Sequence, residues 1–167
     1  LITRELVKGG SVHTSKWVKS KQEFLKALNE FTPRVILCDY DMPNFGASEA
    51  MEILKKNFPL IPLIVVSGTI GEHKAVEMMK SGVADYIMKD KLFKLVPAVK
   101  RTLKEVEERV ERKKAEEALR VTEARFKTMF NEAPLGIALI DSLTGHIYSV
   151  NPMFAKIAGR TMEEMAH

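Results

Sequence analysis

Asp39, Ser67 and Lys89 are a carboxylate, a hydroxyl and an ammonium, each placed where a short apolar run gives way to polar residues. A carboxylate can act as a nucleophile, and its phosphorylated product is an acyl phosphate with about −2 charge and three strong acceptor oxygens. Holding that product takes a cation and a hydroxyl or backbone donor. Lys89 could set a point charge against one phosphoryl oxygen, and Ser67 a hydrogen bond against another. The nucleophile's own charge must be offset before a phosphoryl group approaches, which ordinarily calls for Mg²⁺ held by carboxylates. Asp41 adds a second carboxylate in the same stretch, "VILCDYDMPNFG" (35–46). Taken singly, such residues more often open loops or snorkel from strand ends. The chemistry depends on the fold bringing them to one edge.

The elements that must do so are legible in the hydrophobic pattern. "LITRELVKGG" is helical and stopped by Gly9-Gly10, and "SVHTSKWVKS" alternates like a strand. "KQEFLKALNEF" is an amphipathic helix ended by Thr32-Pro33, and "GASEAMEILKKNF" is another, with Ser48 placed to cap it. "RVILCDY" and "LIPLIVVSG" are short apolar runs of the kind buried on both faces of a sheet. "GEHKAVEMMKSG" reads as a helix closed by Gly82, "ADYIMK" as a further strand, and the helical pattern resumes at Lys91 and runs for about forty positions. Short strands alternating with helices imply an α/β, doubly wound parallel sheet covered on both faces. In such sheets sites lie beyond the carboxyl ends of the strands. Asp39, Ser67 and Lys89 each fall at the carboxyl end of a different predicted strand.

At these residues the chain resembles the receiver domains of two-component response regulators, over residues 1 to about 102. The matching text is "VILCDYDMP" and "IVVSGTIGEHKAVEMMKSGVADYIMKD", with Ser67 28 positions after Asp39 and Lys89 22 after Ser67. The resemblance implies a flavodoxin-like fold, with Asp39 the phosphoacceptor, Ser67 the switch hydroxyl and Lys89 the phosphate-binding cation. It makes Tyr86 the aromatic switch residue, and gives Mg²⁺ the side chain of Asp39 and the backbone carbonyl of Asp41. The implied partner is a histidine kinase or a phosphotransfer protein.

Three departures accompany the match. The family's first strand and the acidic pair after it would precede Leu1, since "LITRELVKGG" corresponds to the end of the first helix; the chain is therefore expected to be a segment of a longer protein. Asp90 follows Lys89 where the family commonly has proline, which implies a different exit from that strand. Ala47 stands where a glycine is usual, with Gly46 one position earlier, shifting the entry to the next helix.

The helix continues through "LVPAVKRTLKEVEERVERKKAEEALRVTEARFKTMF". Val99, Leu103, Val106 and Val110 follow 4-3-4 spacing, the seam of a two-helix coil and hence of a homodimer. Continuing that register would put Lys113 and Glu117 in the seam, and a new one through Leu119, Thr122, Phe126 and Met129 takes over, a break that changes supercoil twist. From residue 124 the text resembles the start of an α+β PAS domain: "GIALID", a turn at Thr144-Gly145, "HIYSV", then Asn151-Pro152 opening a helix with Phe154 and Ile157. These 44 residues are under half of a domain of ~100 residues, and no haem, flavin or other PAS ligand is expected of them. The expected divisions are a receiver at 1–102, a coiled-coil linker at 103–123 and part of a PAS domain at 124–167.

Bulk composition is that of an ordinary globular protein. Apolar residues make up 46% and charged residues 29% of 167, with a net charge of +4 spread along a solvated helix. With 7% aromatics and no basic-aromatic pattern, nucleic acid is not an expected partner. The longest apolar runs fall far short of the roughly 20 residues a membrane helix needs. The single Cys38, in an apolar strand, fits the cytoplasm. The output is expected to lie in the longer protein, as a hybrid histidine kinase or a diguanylate cyclase. Two other readings compete: a degenerate receiver that only docks or dimerises, which an upstream acidic pair would argue against, and a phosphate-ester hydrolase using Asp39 as nucleophile and Asp41 as general acid.

Overall fold

The computed structural model describes residues 2–10, 12–40, 42, 45–68, 72–162 and 164. The chain forms two compact units, Leu1–Val110 and Glu111–His167. In the first, α1 (Ile2–Lys8), α2 (Lys21–Glu30), β1 (Ile36–Asp39), α3 (Ala47–Asn57), β2 (Leu63–Ser67), α4 (Glu72–Lys80) and β3 (Asp85–Met88) follow in order. A 3₁₀ helix (Lys89–Lys94) then leads into α5 (Leu95–Glu132). The strands form a parallel sheet of order β1-β2-β3, with Asp39 opposite Val66 and Ser67 opposite Met88. Every residue of β2, the central strand, is buried, which is why its sequence is apolar without alternation.

The two faces of the sheet carry separate cores. Phe24 and Leu28 of α2, Ala47, Ala50 and Leu54 of α3, and Met78 of α4 pack over Cys38 and Val65. Leu6 of α1 and Leu95, Ala98 and Val99 of α5 pack over Ile64, Val66 and Ile87. This is the doubly wound arrangement expected from the sequence. Ser20 caps α2, accepting from the Glu23 N–H at 3.3 Å, while the Glu23 carboxylate accepts from the Lys19 N–H at 2.7 Å. Gly9 lies so close to α5 that a β-carbon there would stand 2.5 Å from the Val96 Cγ2 atom. At the base of the sheet, Arg101 pairs with Asp85 and Arg34 with Glu107.

Four local expectations are corrected. Residues 12–19 form no strand; alternation alone does not make one, because a strand's N–H and C=O groups need a neighbour and no described strand pairs with this segment. Val12 and Trp17 are accordingly exposed. The helix expected from Lys91 begins as the 3₁₀ turn, with α geometry from Leu95. The cap of α3 is Gly46, without a side-chain hydrogen bond, rather than Ser48. Val99 and Leu103, the first two positions of the coil seam, are already used: Val99 is buried in the receiver core and Leu103 packs against it.

In the second unit, β4 (Ala138–Ile140) and β5 (Ile147–Val150) form an antiparallel hairpin, followed by α6 (Pro152–Ala158). Gly145 sits at φ 72° in its turn. Asn151 caps α6 and is fully buried. Its Oδ1 accepts from the N–H groups of Phe154 at 2.9 Å and Ile137 at 2.8 Å, and its Nδ2 donates to the carbonyls of Phe130 at 3.0 Å and Leu135 at 2.8 Å. No helix among the described residues is long and apolar enough to cross a membrane.

Candidate functional site

The register of the sheet turns three separated residues into neighbours. Asp39 ends β1 opposite Val66; Ser67 is the next residue of β2 and sits opposite Met88; Lys89 is the next residue after β3. The three thus climb one step per strand along the carboxyl edge. Adjacent strands are about 4.8 Å apart, so a group on β3 must reach over the end of β2 to meet one on β1. A lysine is long enough. Its Nζ donates to the Asp39 Oδ2 at 2.6 Å, and its stem passes beside Gly68, where a β-carbon would stand 3.7 Å from the Lys89 Cδ atom. Gly68 is therefore part of this edge, although nothing in the sequence reading singled it out.

Both members of the ion pair remain open to solvent, at 40% exposure for the Lys89 side chain and 35% for that of Asp39. A pair so exposed adds little to stability, and its carboxylate can be reached from outside. Ser67 differs: it is fully buried, and its hydroxyl has no hydrogen-bond partner among the described residues. The hydroxyl of Tyr86, on β3, is likewise buried and unpartnered, with its ring packed against the α2–α4 core. Buried hydroxyls ordinarily find partners, so two orphans on adjacent strands invite an explanation in function.

Cys38 can be set aside as a nucleophile. Burial, and secondarily the charge of Asp39, raise its thiol to about 11, so it stays protonated at neutral pH.

Asp41, whose carbonyl the sequence reading gave to Mg²⁺, lies outside the described residues. Among the described residues no three His, Cys, Asp or Glu side chains group to hold a metal. The described donors at this edge amount to the Asp39 carboxylate, already held by Lys89, and Mg²⁺ asks for a near-octahedral set of oxygens. They do not by themselves make a magnesium site.

Comparison with known proteins agrees with the architecture. The family model described as "Response regulator receiver domain" matches residues 2–100, and one described as "PAS domain" matches residues 124–167. The DNA-binding transcriptional regulator NtrC of Proteus hauseri is 33% identical over 67 residues, 40% of this chain and 14% of that protein. Response regulator protein VraR of Staphylococcus saprophyticus is 31% identical over 71 residues, 42% of this chain and 34% of that protein. These matches span about a seventh and a third of the relatives' own lengths. Among solved structures, the receiver domain of NtrX from Brucella abortus superposes with a TM-score of 0.55 at 24% identity, covering 62% of this chain and 87% of that one, a likeness of fold. With its parallel sheet, its helices on both faces and a family match over residues 2–100, the chain belongs to the response regulator receiver domain family.

Proposed function

We propose that this chain is the phosphoacceptor module of a two-component phosphorelay protein, with Asp39 as the residue modified. A phosphohistidine on a histidine kinase or phosphotransfer protein is the donor. An Asp39 carboxylate oxygen forms a bond to phosphorus as the P–N bond breaks, and the imidazole leaves with the electron pair and takes up a proton. Lys89, already on Asp39 Oδ2 at 2.6 Å, then meets a phosphoryl oxygen. The Ser67 hydroxyl, without a partner among the described residues, gains an acceptor, and Tyr86 and the α4–α5 face repack around it. The observation that carries this reading is the combination on one edge: a solvent-accessible, half-buried carboxylate paired with a lysine from two strands away, beside a buried hydroxyl with no partner among the described residues. Mg²⁺ belongs to the proposal as the ion this family uses to offset charge; Asp39 and the Asp41 carbonyl would be its ligands here.

The divisions 1–102, 103–123 and 124–167 serve in this reading as receiver, helical linker and PAS segment. A charge change at Asp39 biases a two-state element, and α5 carries that bias onward. A homodimer through α5, a cytoplasmic location, and a hybrid kinase or diguanylate cyclase output complete the proposal.

The test is treatment of the full-length protein with a small phosphodonor, followed by intact mass. The expected result is an acid-labile gain of one phosphoryl group in the unsubstituted protein and none in Asp39→Asn. Identical behaviour of the two proteins would rule the phosphoacceptor role out in favour of docking alone.

A further inference from the structure

On the residue that follows the phosphoacceptor rests a second cation that the mechanism above does not use. Lys74, early in α4, holds its Nζ over the ring of Tyr40, 6.0 Å from the centroid. Tyr40 directly follows Asp39, and its N–H donates to the Val66 carbonyl at 3.2 Å, so the β1–β2 ladder continues past the carboxylate and fixes Tyr40 relative to it. The Tyr40 ring packs, partly buried, against the α2–α4 core. An ammonium over an aromatic face is held by the ring quadrupole without losing its charge to an anionic partner. That separates it from Lys89, whose charge is matched by the Asp39 carboxylate.

We infer that Lys74 is a positioning residue for phosphoryl donors: perched on Tyr40, with no ion pair among the described residues, it supplies positive charge that draws an anionic phosphodonor to Asp39. This rests on the phosphoacceptor reading of Asp39. The Asp39–Lys89 pair is close to neutral as seen by an incoming ligand, so it offers a dianion little attraction. A third charge, held on the ring of the residue next to Asp39, adds a positive field, and fields of this kind raise association rates in a salt-dependent way. Because the perch is an aromatic face rather than a carboxylate, Lys74 can turn toward a phosphoryl oxygen without leaving a buried charge behind.

The experiment compares the full-length protein with its Lys74→Gln, Lys74→Arg and Tyr40→Leu variants, measuring the second-order rate of Asp39 labelling across a salt series. Two donors are used. With acetyl phosphate, a dianion at neutral pH, an Asp39 oxygen bonds to phosphorus as the P–O bond breaks and acetate leaves. With phosphoramidate, which carries a protonated nitrogen and less net charge, the P–N bond breaks and ammonia leaves. Lys74→Gln is expected to slow labelling by acetyl phosphate about threefold at low salt and to flatten the salt dependence. Phosphoramidate should be affected less, Lys74→Arg should restore the rate, and Tyr40→Leu should fall between. A Lys74→Gln rate equal to that of the unsubstituted protein overturns the inference and leaves the phosphoacceptor reading intact. So does an equal, salt-independent loss with both donors, which is the signature of a structural role. Failure of the unsubstituted protein to label with either donor overturns both.

Discussion

Replacing Ser67 with alanine should make the unmodified protein more stable while removing its response to phosphorylation. The Ser67 side chain is fully buried and its hydroxyl has no partner among the described residues. A buried hydroxyl left unsatisfied costs about 1–3 kcal/mol, which the alanine variant recovers. The oxygen removed leaves only a small void; at about 24 cal/mol per Å³ of cavity, a volume of roughly 10 Å³ gives back about 0.2 kcal/mol. The net is a gain of about 1 kcal/mol, or about 4 °C in Tm for a unit of this size. Phosphorylation reverses the order. A phosphoryl oxygen would give the serine a charged acceptor, a hydrogen bond of about 1.5–3 kcal/mol that alanine cannot make. Urea unfolding followed by circular dichroism, with and without excess phosphodonor, reads both differences, and hydrogen exchange in peptides covering β2 localises them. If Ser67→Ala lowered the unfolding midpoint by the equivalent of 1 kcal/mol or more, the hydroxyl would have a partner already and the reasoning would fail. It would fail equally if the labelled variant gained as much stability as labelled wild type. Tyr86→Phe, which deletes the other unpartnered hydroxyl, should likewise leave stability unchanged or raised before phosphorylation.

Gly9→Ala should destabilise the receiver unit by about 1–3 kcal/mol, because its β-carbon would overlap the branched Val96 side chain at 2.5 Å; Gly9→Ala with Val96→Ala should recover much of this in thermal melts. Asn151→Ala orphans two amide N–H groups and two carbonyls inside the second unit, at a cost of about 3 kcal/mol. Hydrogen exchange at Ile137 and Phe154 should accelerate sharply in that variant, and unchanged protection there would refute the role of the Asn151 side chain in holding these N–H groups. In the β4–β5 turn, the N–H of Thr144, the Tyr148 hydroxyl and the N–H of Leu143 hold the Asp141 carboxyl down at about 2. A folded value below the ordinary 3.8 means that the stabilisation is present above 3.8 and is lost as pH falls toward 2. An NMR titration of Asp141 should show that low midpoint, with Tyr148→Phe moving it upward; a midpoint near 3.8 in the unsubstituted protein would contradict the hairpin geometry.

Residue order alone marked most of the elements and the strand ends where chemistry could sit, but not the fate of residues 12–19 or the cap of α3. Short apolar runs identified β1 and β2, helical spacing of Phe24, Leu25 and Leu28 gave α2, and Gly82, Thr144-Gly145 and Asn151-Pro152 marked helix ends and turns. Those are local properties, written in period and turn chemistry. What depended on strand order and register was decided only in three dimensions. Whether residues 12–19 become a strand depends on a neighbour to pair with, and the alternating pattern carries no information about that neighbour. That Lys89 crosses β2 to reach Asp39, that the hydroxyls of Ser67 and Tyr86 are buried without partners among the described residues, and that Lys74 settles on Tyr40 all follow from which strand lies beside which and at what offset. A sequence names the groups at each strand end; the distances that make them a site are set by packing between segments far apart in the chain.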